Sequence, residues 1–281
     1  MIFFHEPYIN QNFLKNLKKL LKFRKSLNYN FFQKKLKAIV RKKYNFKNIL
    51  FTNSNTSAME ISALILKKLK NKGNIVMPSY NYPTTASAFI RAGLNIKFID
   101  ISGNNLMSSY DQYYKAIDKN TIALIITHYA GINIPYIEKL KKLCMSKKIF
   151  LIEDAAQAFD SYHNKIPLGS FGDFSSFSFH ETKNVHSVTG GMLVIKDRKL
   201  YKLAKFILDR GTDRSKVIAG RKNKYEWVTI GSAFNMTDVQ AAMLYDQIKN
   251  IRKITSERKK IYKYYIKYFK KFDLNNKVYF N

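Results

Sequence analysis

Residues Thr121–Thr127 read TIALIIT, seven positions without a charge and without polar–apolar alternation. A strand with one solvated face alternates with period two, so an uninterrupted apolar run of strand length describes a strand covered on both faces, as in a parallel sheet. Similar short runs recur at Asn48–Thr52, Asn74–Met77, Ile96–Ile99 and Lys148–Ile152. Between them lie helical patterns. Ser57–Leu69 carries Ala58, Ile61, Leu64 and Ile65 on one face, Thr84–Ala92 stops at Gly93, and Ile137, Leu140 and Leu143 form a stripe after Pro135. Repeated strand–helix–strand order needs crossover connections and predicts an α/β fold with a mostly parallel sheet. Farther on, Thr237 and Gln240 have capping-box spacing ahead of a helix through Ala241, Leu244 and Ile248. A second helical stretch carries Tyr262, Tyr265, Ile266 and Phe269, and the closing VYFN reads as the start of another strand.

Charge narrows the partners. The 281 residues hold 50 Lys and Arg against 19 Asp and Glu, a net charge of +31. Such an excess suits a polyanion, but the basic residues are mostly lysine and are scattered from Lys15 to Lys277, so no specific nucleic-acid surface is expected. The densest stretch, residues 15–43, spaces Leu17, Leu20 and Leu21 as a solvated amphipathic helix would. No apolar run approaches the roughly 18 residues of a membrane-spanning helix, and MIFFHEPYIN has no signal-peptide pattern. With a single cysteine, Cys144, the expectation is a cytoplasmic protein without membrane insertion.

Four segments fall where strands give way to loops, the place where open α/β sheets bind ligands. The strand ending at Ile152 emits Glu153, Asp154 and then Gln157; a carboxylate there can pair with a protonated ring nitrogen. In FSSFSFHETKN, residues 174–184, Lys183 closely follows a strand of small and aromatic residues, where lost solvation lowers an amine's pKa and makes it nucleophilic. TNSNTSAME, residues 52–60, is a strand-to-helix turn whose free N–H groups would favour a phosphate. PSYNYPTT, residues 78–85, places Tyr82 where it could stack on a planar ring. Each has an ordinary explanation taken singly: a surface lysine, a helix cap, an N-cap. Together, in order along one α/β chain, they meet the demands of pyridoxal phosphate. His180 and Glu181 begin an H-E-x-x-H pattern, but Asn184 stands where the second histidine would be, so no metal site is implied.

The motifs FTNSNTSAMEISAL, VMPSYNYPTTASAF, THYAGI, EDAAQAFDS, LGSFGDFSSFSFHETKN, GTDRS and KYEWVTIGSAFNMTDVQAA resemble the DegT/StrS sugar-nucleotide aminotransferases, over about residues 48 to 260. The resemblance implies the fold-type-I, aspartate-aminotransferase-like large domain. GTDRS with KYEW points to the branch that makes dTDP-4-amino-4,6-dideoxygalactose. Carried over by position, Lys183 would bond the cofactor and move the substrate proton, and Asp154 would pair with the ring nitrogen. Gln157 would contact the ring hydroxyl, Tyr82 would stack on the ring, and the Thr56 and Ser57 amides with the Ser178 hydroxyl would hold the phosphate. His128 and His180 would face the substrate, a structural role being the alternative for His128. Glu153 would be structural. The implied reaction moves an amino group from L-glutamate to the 4-keto carbon of dTDP-4-dehydro-6-deoxy-D-glucose, for surface-polysaccharide (lipopolysaccharide) synthesis, in a homodimer.

The sequence departs from that pattern at several places. Val188 and Thr189 replace a glycine–glutamate pair ahead of Gly190 and Gly191, Ala233 takes a small polar position, and KSLNYN, residues 25–30, lacks the glycines of a site-closing segment. The expected division is an N-terminal helical segment at 1–47, a cofactor-binding large domain at 48–250, and at 251–281 a helix leading into a C-terminal small domain that is largely missing. The alternative implied is an inactive truncated remnant that binds cofactor or partners without turnover.

Overall fold

The computed structural model describes residues 6–22, 30–102 and 106–271. Two helices, α1 (Asn12–Lys22) and α2 (Phe31–Tyr44), precede the sheet. Then follow β1 (Ile49–Thr52), α3 (Asn55–Lys70), β2 (Asn74–Pro78), α4 (Pro83–Arg91), β3 (Asn95–Ile99), α5 (Tyr110–Ala116), β4 (Thr121–Thr127), α6 (Ile137–Lys147) and β5 (Phe150–Asp154). A two-residue ribbon, β6 (Tyr162–His163) and β7 (Ile166–Pro167), leads to β8 (Phe174–Ser178) and β9 (Gly191–Ile195). Four helices close the described chain: α7 (Arg198–Leu208), α8 (Arg214–Ile218), α9 (Asp238–Lys249) and α10 (Ile251–Lys271).

The seven-stranded sheet has the order β1-β9-β8-β5-β4-β2-β3. It is parallel from β8 through β3, while β9 lies antiparallel to both β8 and β1. Each central strand feeds two cores because neighbouring side chains leave opposite faces. In β2, Ile75 and Met77 join a core beneath α3, α4 and α7, while Val76 joins the other, packed by α2, α6 and α9. In β4, Leu124 and Ile126 go one way and Ile125 the other. The uninterrupted apolar run has this cause.

The helix expected from Leu17, Leu20 and Leu21 is α1, which buries Leu20 and leaves Leu21 exposed. α1 and α2 are separate helices, and α2 buries Phe32, Leu36, Val40 and Tyr44 in the main core. Strand β5 runs two residues farther than the apolar pattern predicts, so Glu153 and Asp154 lie inside it and leave opposite faces of the sheet. Apart from Asn30, the KSLNYN segment lies outside the described residues, as does the closing VYFN. No helix among the described residues is long and apolar enough to cross a membrane.

Candidate active site

The parallel strands β2, β4, β5 and β8 end on one edge of the sheet, and the segments that follow them enclose a cavity of about 410 Å³. Pockets of this volume suit a small organic ligand. β2 leads to Asn81 and Tyr82, β4 ends in Thr127 before His128, β5 ends in Asp154 before Gln157, and β8 ends in Ser178 before His180 and Lys183. The start of α3 contributes Ser54, Asn55 and Thr56, and Gly190 closes the wall from β9's side. Gly191 cannot carry a side chain, since a Cβ there would collide with the Ser54 carbonyl, so β9 packs directly on the turn that opens α3.

Of the residues expected from the sequence, Thr56, Tyr82, His128, Asp154, Gln157, Ser178, His180 and Lys183 all line this cavity. Ser57 does not. Its amide donates to the Ser54 hydroxyl (3.1 Å) and its own hydroxyl donates to Asn53 Oδ1 (2.6 Å), so both donors serve the helix cap. The turn therefore offers Asn55 and Thr56, whose N–H groups precede the first intrahelical bond.

Asp154 is buried, 2% exposed. Thr85 donates its hydroxyl to Oδ2 (2.7 Å) and the Ala156 amide donates to Oδ1 (3.1 Å). Burial raises the carboxyl's pKa, opposed by these two bonds and by the charges of His128 and Lys183. Lys183 is half-buried, and burial lowers its pKa, with the Asp154 charge opposing. Amine and acid thus sense each other across the cavity. No role was expected for Thr85, which lies in the first turn of α4, three residues after the N-cap Tyr82.

Glu153 is fully buried on the opposite side of the strand. It accepts bonds from the amides of Gly169 (2.8 Å), Phe171 (2.8 Å) and Gly172 (2.6 Å), from the Ser175 hydroxyl (3.1 Å), and shares a 3.0 Å bond with His128 Nε2. Burial alone would raise its pKa, but His128 and the backbone amides hold it below the usual glutamate value. It is an anion locked into the loop before β8.

Gln157 accepts from the Ala130 amide at Oε1 (3.0 Å), which leaves its NH₂ for the cavity. Tyr82 is 70% exposed over the cavity mouth. His180 is exposed and bonded to the Thr182 hydroxyl (3.1 Å). Ala233 is exposed, and its carbonyl accepts from Asn53 Nδ2 (3.1 Å) beside the same turn.

Residues 7–280 match the DegT/DnrJ/EryC1/StrS aminotransferase family. The chain belongs to that family. Within it, the uncharacterized protein MJ1066 of Methanocaldococcus jannaschii is 26% identical over 234 residues, which are 82% of this chain and 60% of that protein. The GDP-perosamine synthase of Vibrio cholerae is 28% identical over 191 residues, 68% of this chain and 50% of the synthase. This chain thus spans between half and three-fifths of the length of these relatives. Among solved structures, Spr1654 of Streptococcus pneumoniae, described as a sugar aminotransferase and here in its PMP form, superposes with a TM-score of 0.84 at 24% identity, covering 94% of this chain and 71% of that one. That likeness shows the fold. Spr1654 has also been solved in a PLP form.

The residues present fit pyridoxal phosphate. The cavity joins a helix N-terminus suited to a phosphate, a buried carboxylate with one bond at each oxygen, and a desolvated lysine. Asn55 Oδ1 is buried in this wall with no hydrogen-bond partner. Rotating that amide by half a turn would present its two N–H donors to an anion.

Proposed function

We propose that this chain is a pyridoxal-phosphate-dependent sugar-nucleotide transaminase, moving an amino group from L-glutamate to the 4-keto carbon of dTDP-4-dehydro-6-deoxyglucose. The single observation that carries the reading is Lys183 and Asp154 on one ligand-sized cavity at the carboxyl ends of the parallel strands. Bound there, the cofactor supplies an electron sink for the pair left behind when a carbon gives up its proton. Lys183 would hold it by its amine and Asp154 by its ring nitrogen. Asn55, Thr56 and Ser178 would hold the phosphate, Gln157 the ring hydroxyl, and Tyr82 would stack on the ring.

The chain's own residues divide the remaining work. Desolvation leaves more of Lys183 as free amine near neutral pH, so it can take a proton from a substrate carbon and return it to the neighbouring one. Thr85 and the Ala156 amide each bond one oxygen of the Asp154 carboxylate and fix its orientation at the cavity wall. Tyr82, at the mouth, narrows the entry of water. The nucleotide-sugar acceptor, glutamate as donor, a homodimer, a cytoplasmic location and a role in surface-polysaccharide synthesis belong to the same proposal. So does the division of labour in which 48–250 binds the cofactor, 1–47 packs against it and 251–281 leads toward a further domain.

Titrating the purified chain with pyridoxal phosphate tests this reading. A visible absorbance band should develop in the native chain and be absent from Lys183→Ala, and glutamate should drive amination of a dTDP-linked 4-keto sugar. Offering GDP-linked 4-keto and dTDP-linked 3-keto sugars in parallel decides the acceptor. A native chain that never develops the band refutes the cofactor assignment. The second reading, cofactor binding without turnover, is favoured by the strained Val188 beside the cavity wall, and a band without amination of any of these sugars would establish it.

A further inference from the structure

Ile251 and Ile254, in the first turn of α10, are buried in the main core and fix the direction of the helix. Arg252, Ser256, Lys259 and Lys263, spaced four, three and four apart, share one face and line a groove of about 510 Å³ with Asp160 from the turn after β5. Past Thr255 and Lys259 the groove widens into a hollow of about 620 Å³, lined also by Arg258, Tyr162 and Tyr262. From Arg252 to Lys263 the helix rises roughly 16 Å, long enough for two phosphates and a nucleoside.

The protein itself leaves most of these cations unpaired. Glu257 pairs with Lys260 (2.9 Å), but among the described residues no carboxylate pairs with Arg252, Arg258, Lys259 or Lys263. The acid in the wall, Asp160, is already answered: Lys43 meets it at 2.9 Å, and the Tyr44 and Tyr162 hydroxyls donate to the same oxygen, each at 2.9 Å. An anion placed here meets an excess of positive charge in a concave surface, where low-dielectric walls focus the field.

The groove also communicates with the catalytic cavity. A polar hollow of about 140 Å³ shares Gln157, Thr182 and Lys183 with that cavity and Ala130, Phe159 and Asn184 with the groove. The link is rigid. Ala130 holds a left-handed φ of 53° with its amide bonded to Gln157 Oε1 (3.0 Å), and a Cβ on Gly131 would collide with the Gln157 carbonyl. A substrate whose reacting carbon sits at Lys183 can therefore run an anionic limb past Asn184 onto α10. A nucleic acid held by charge alone would need no such path. Phosphate oxygens suit Arg258, Lys259 and the Thr255 hydroxyl, and a planar base suits the exposed tyrosines, Tyr162 at 43% and Tyr262 at 50%.

We propose that this groove is the subsite for the nucleoside diphosphate of the acceptor, with Arg258 and Lys259 on the phosphates and Tyr262 stacked on the base. This rests on the nucleotide-sugar reading above and adds the residues that select the nucleotide.

The test uses the purified chain and dTDP without a sugar, with binding read by calorimetry. Arg258→Ala combined with Lys259→Ala should bind dTDP roughly tenfold more weakly, the effect of two exposed ion pairs. Lys199→Ala combined with Lys202→Ala removes the same charge from exposed positions on α7 and should bind like the native chain. Tyr262→Ala should weaken dTDP about tenfold, the loss of one stacked base, yet bind inorganic pyrophosphate as the native chain does. In turnover the α10 double variant should raise KM for the acceptor and leave kcat and the KM for glutamate near native values. All the substituted side chains are exposed, so thermal unfolding should match the native chain. Unchanged dTDP binding in the α10 variants, or equal weakening in the α7 variant, overturns the subsite. So does a loss confined to glutamate, which would give the groove to the amino donor. In each of these cases a native chain that aminates a nucleotide-linked sugar keeps the functional reading intact. A native chain that develops the visible band but binds no dTDP removes the nucleotide acceptor together with the subsite.

Discussion

Val188 adopts φ 66°, a left-handed conformation that a β-branched residue rarely takes, at the position where the family pattern places glycine. Two contacts hold it there: the Glu181 amide donates to its carbonyl (2.8 Å), and Thr189 next to it donates its hydroxyl to the Asn53 carbonyl (2.8 Å). Its side chain is 52% exposed and buries little, so the strain is not returned as packing. Val188→Gly should raise the free energy of unfolding by about 0.5–1 kcal/mol, the left-handed penalty less glycine's larger entropy loss. Urea denaturation of the two chains measures it, and an unchanged or lowered midpoint would count against strain at this site. At this scale the sequence showed which residue types gather but not which atoms remain free. Lys183 and Asp154 stood out only in conjunction, since each alone has an ordinary structural explanation, and with Gln157 they line one cavity. Ser57 was misplaced because an N-cap and a phosphate cradle draw on the same residue types, and only the Ser54 hydroxyl's 3.1 Å contact with its amide separates them. Thr85 and Asn55 escaped notice because threonine and asparagine in a first helical turn ordinarily serve as caps.

Helix α2 begins at Phe31 with Asn30 as N-cap, in a left-handed conformation and making no side-chain cap bond. The missing cap comes from 206 residues away in sequence: Asp238, at the first position of α9, accepts from the Phe32 amide (3.1 Å) and the Gln33 amide (3.0 Å). Its carboxylate also faces the positive end of α2 and is fully buried. Asp238→Ala should cost about 2 kcal/mol, in the range of a lost cap with charge-assisted bonds, and thermal unfolding should report it while cofactor affinity changes little. A cost within a few tenths would mean that α2 is held by its apolar face alone. The same capping chemistry shows where elements were legible. The Thr237–Gln240 box is formed as its spacing predicts, whereas the equivalent Ser109–Gln112 box of α5 opens a helix of only seven residues, too short to show an apolar period. Strand β9 went unplaced because its antiparallel insertion between β1 and β8 is a long-range choice that no local pattern announces.

Across the whole molecule, one face carries apolar surface that the described residues leave uncovered. Ile218, Tyr225, Trp227, Val228 and Ile230 are 63%, 51%, 75%, 46% and 68% exposed. This segment is not loose. Asp213, nearly buried at its base, accepts from the Glu226 amide (2.8 Å) and from Lys222 (3.0 Å) and Lys216 (3.1 Å), and Val228 donates to the Gly211 carbonyl (2.7 Å). A rigid apolar ridge is costly in water unless a second surface covers it, and it can dock without first paying the entropy of ordering. The proposed homodimer supplies that surface with a second copy, which the scattered charge of +31 would otherwise keep apart by repulsion. Trp227→Asp combined with Ile230→Asp should convert a sedimenting dimer to monomer at about micromolar concentration, because desolvating two carboxylates in an apolar contact costs several kcal/mol. Every residue proposed to hold the cofactor comes from a single chain, so the monomer should still develop the visible band with pyridoxal phosphate. Loss of the band together with the dimer would instead mean that the second copy completes the cavity, and a double variant that stays dimeric would place the contact on another face.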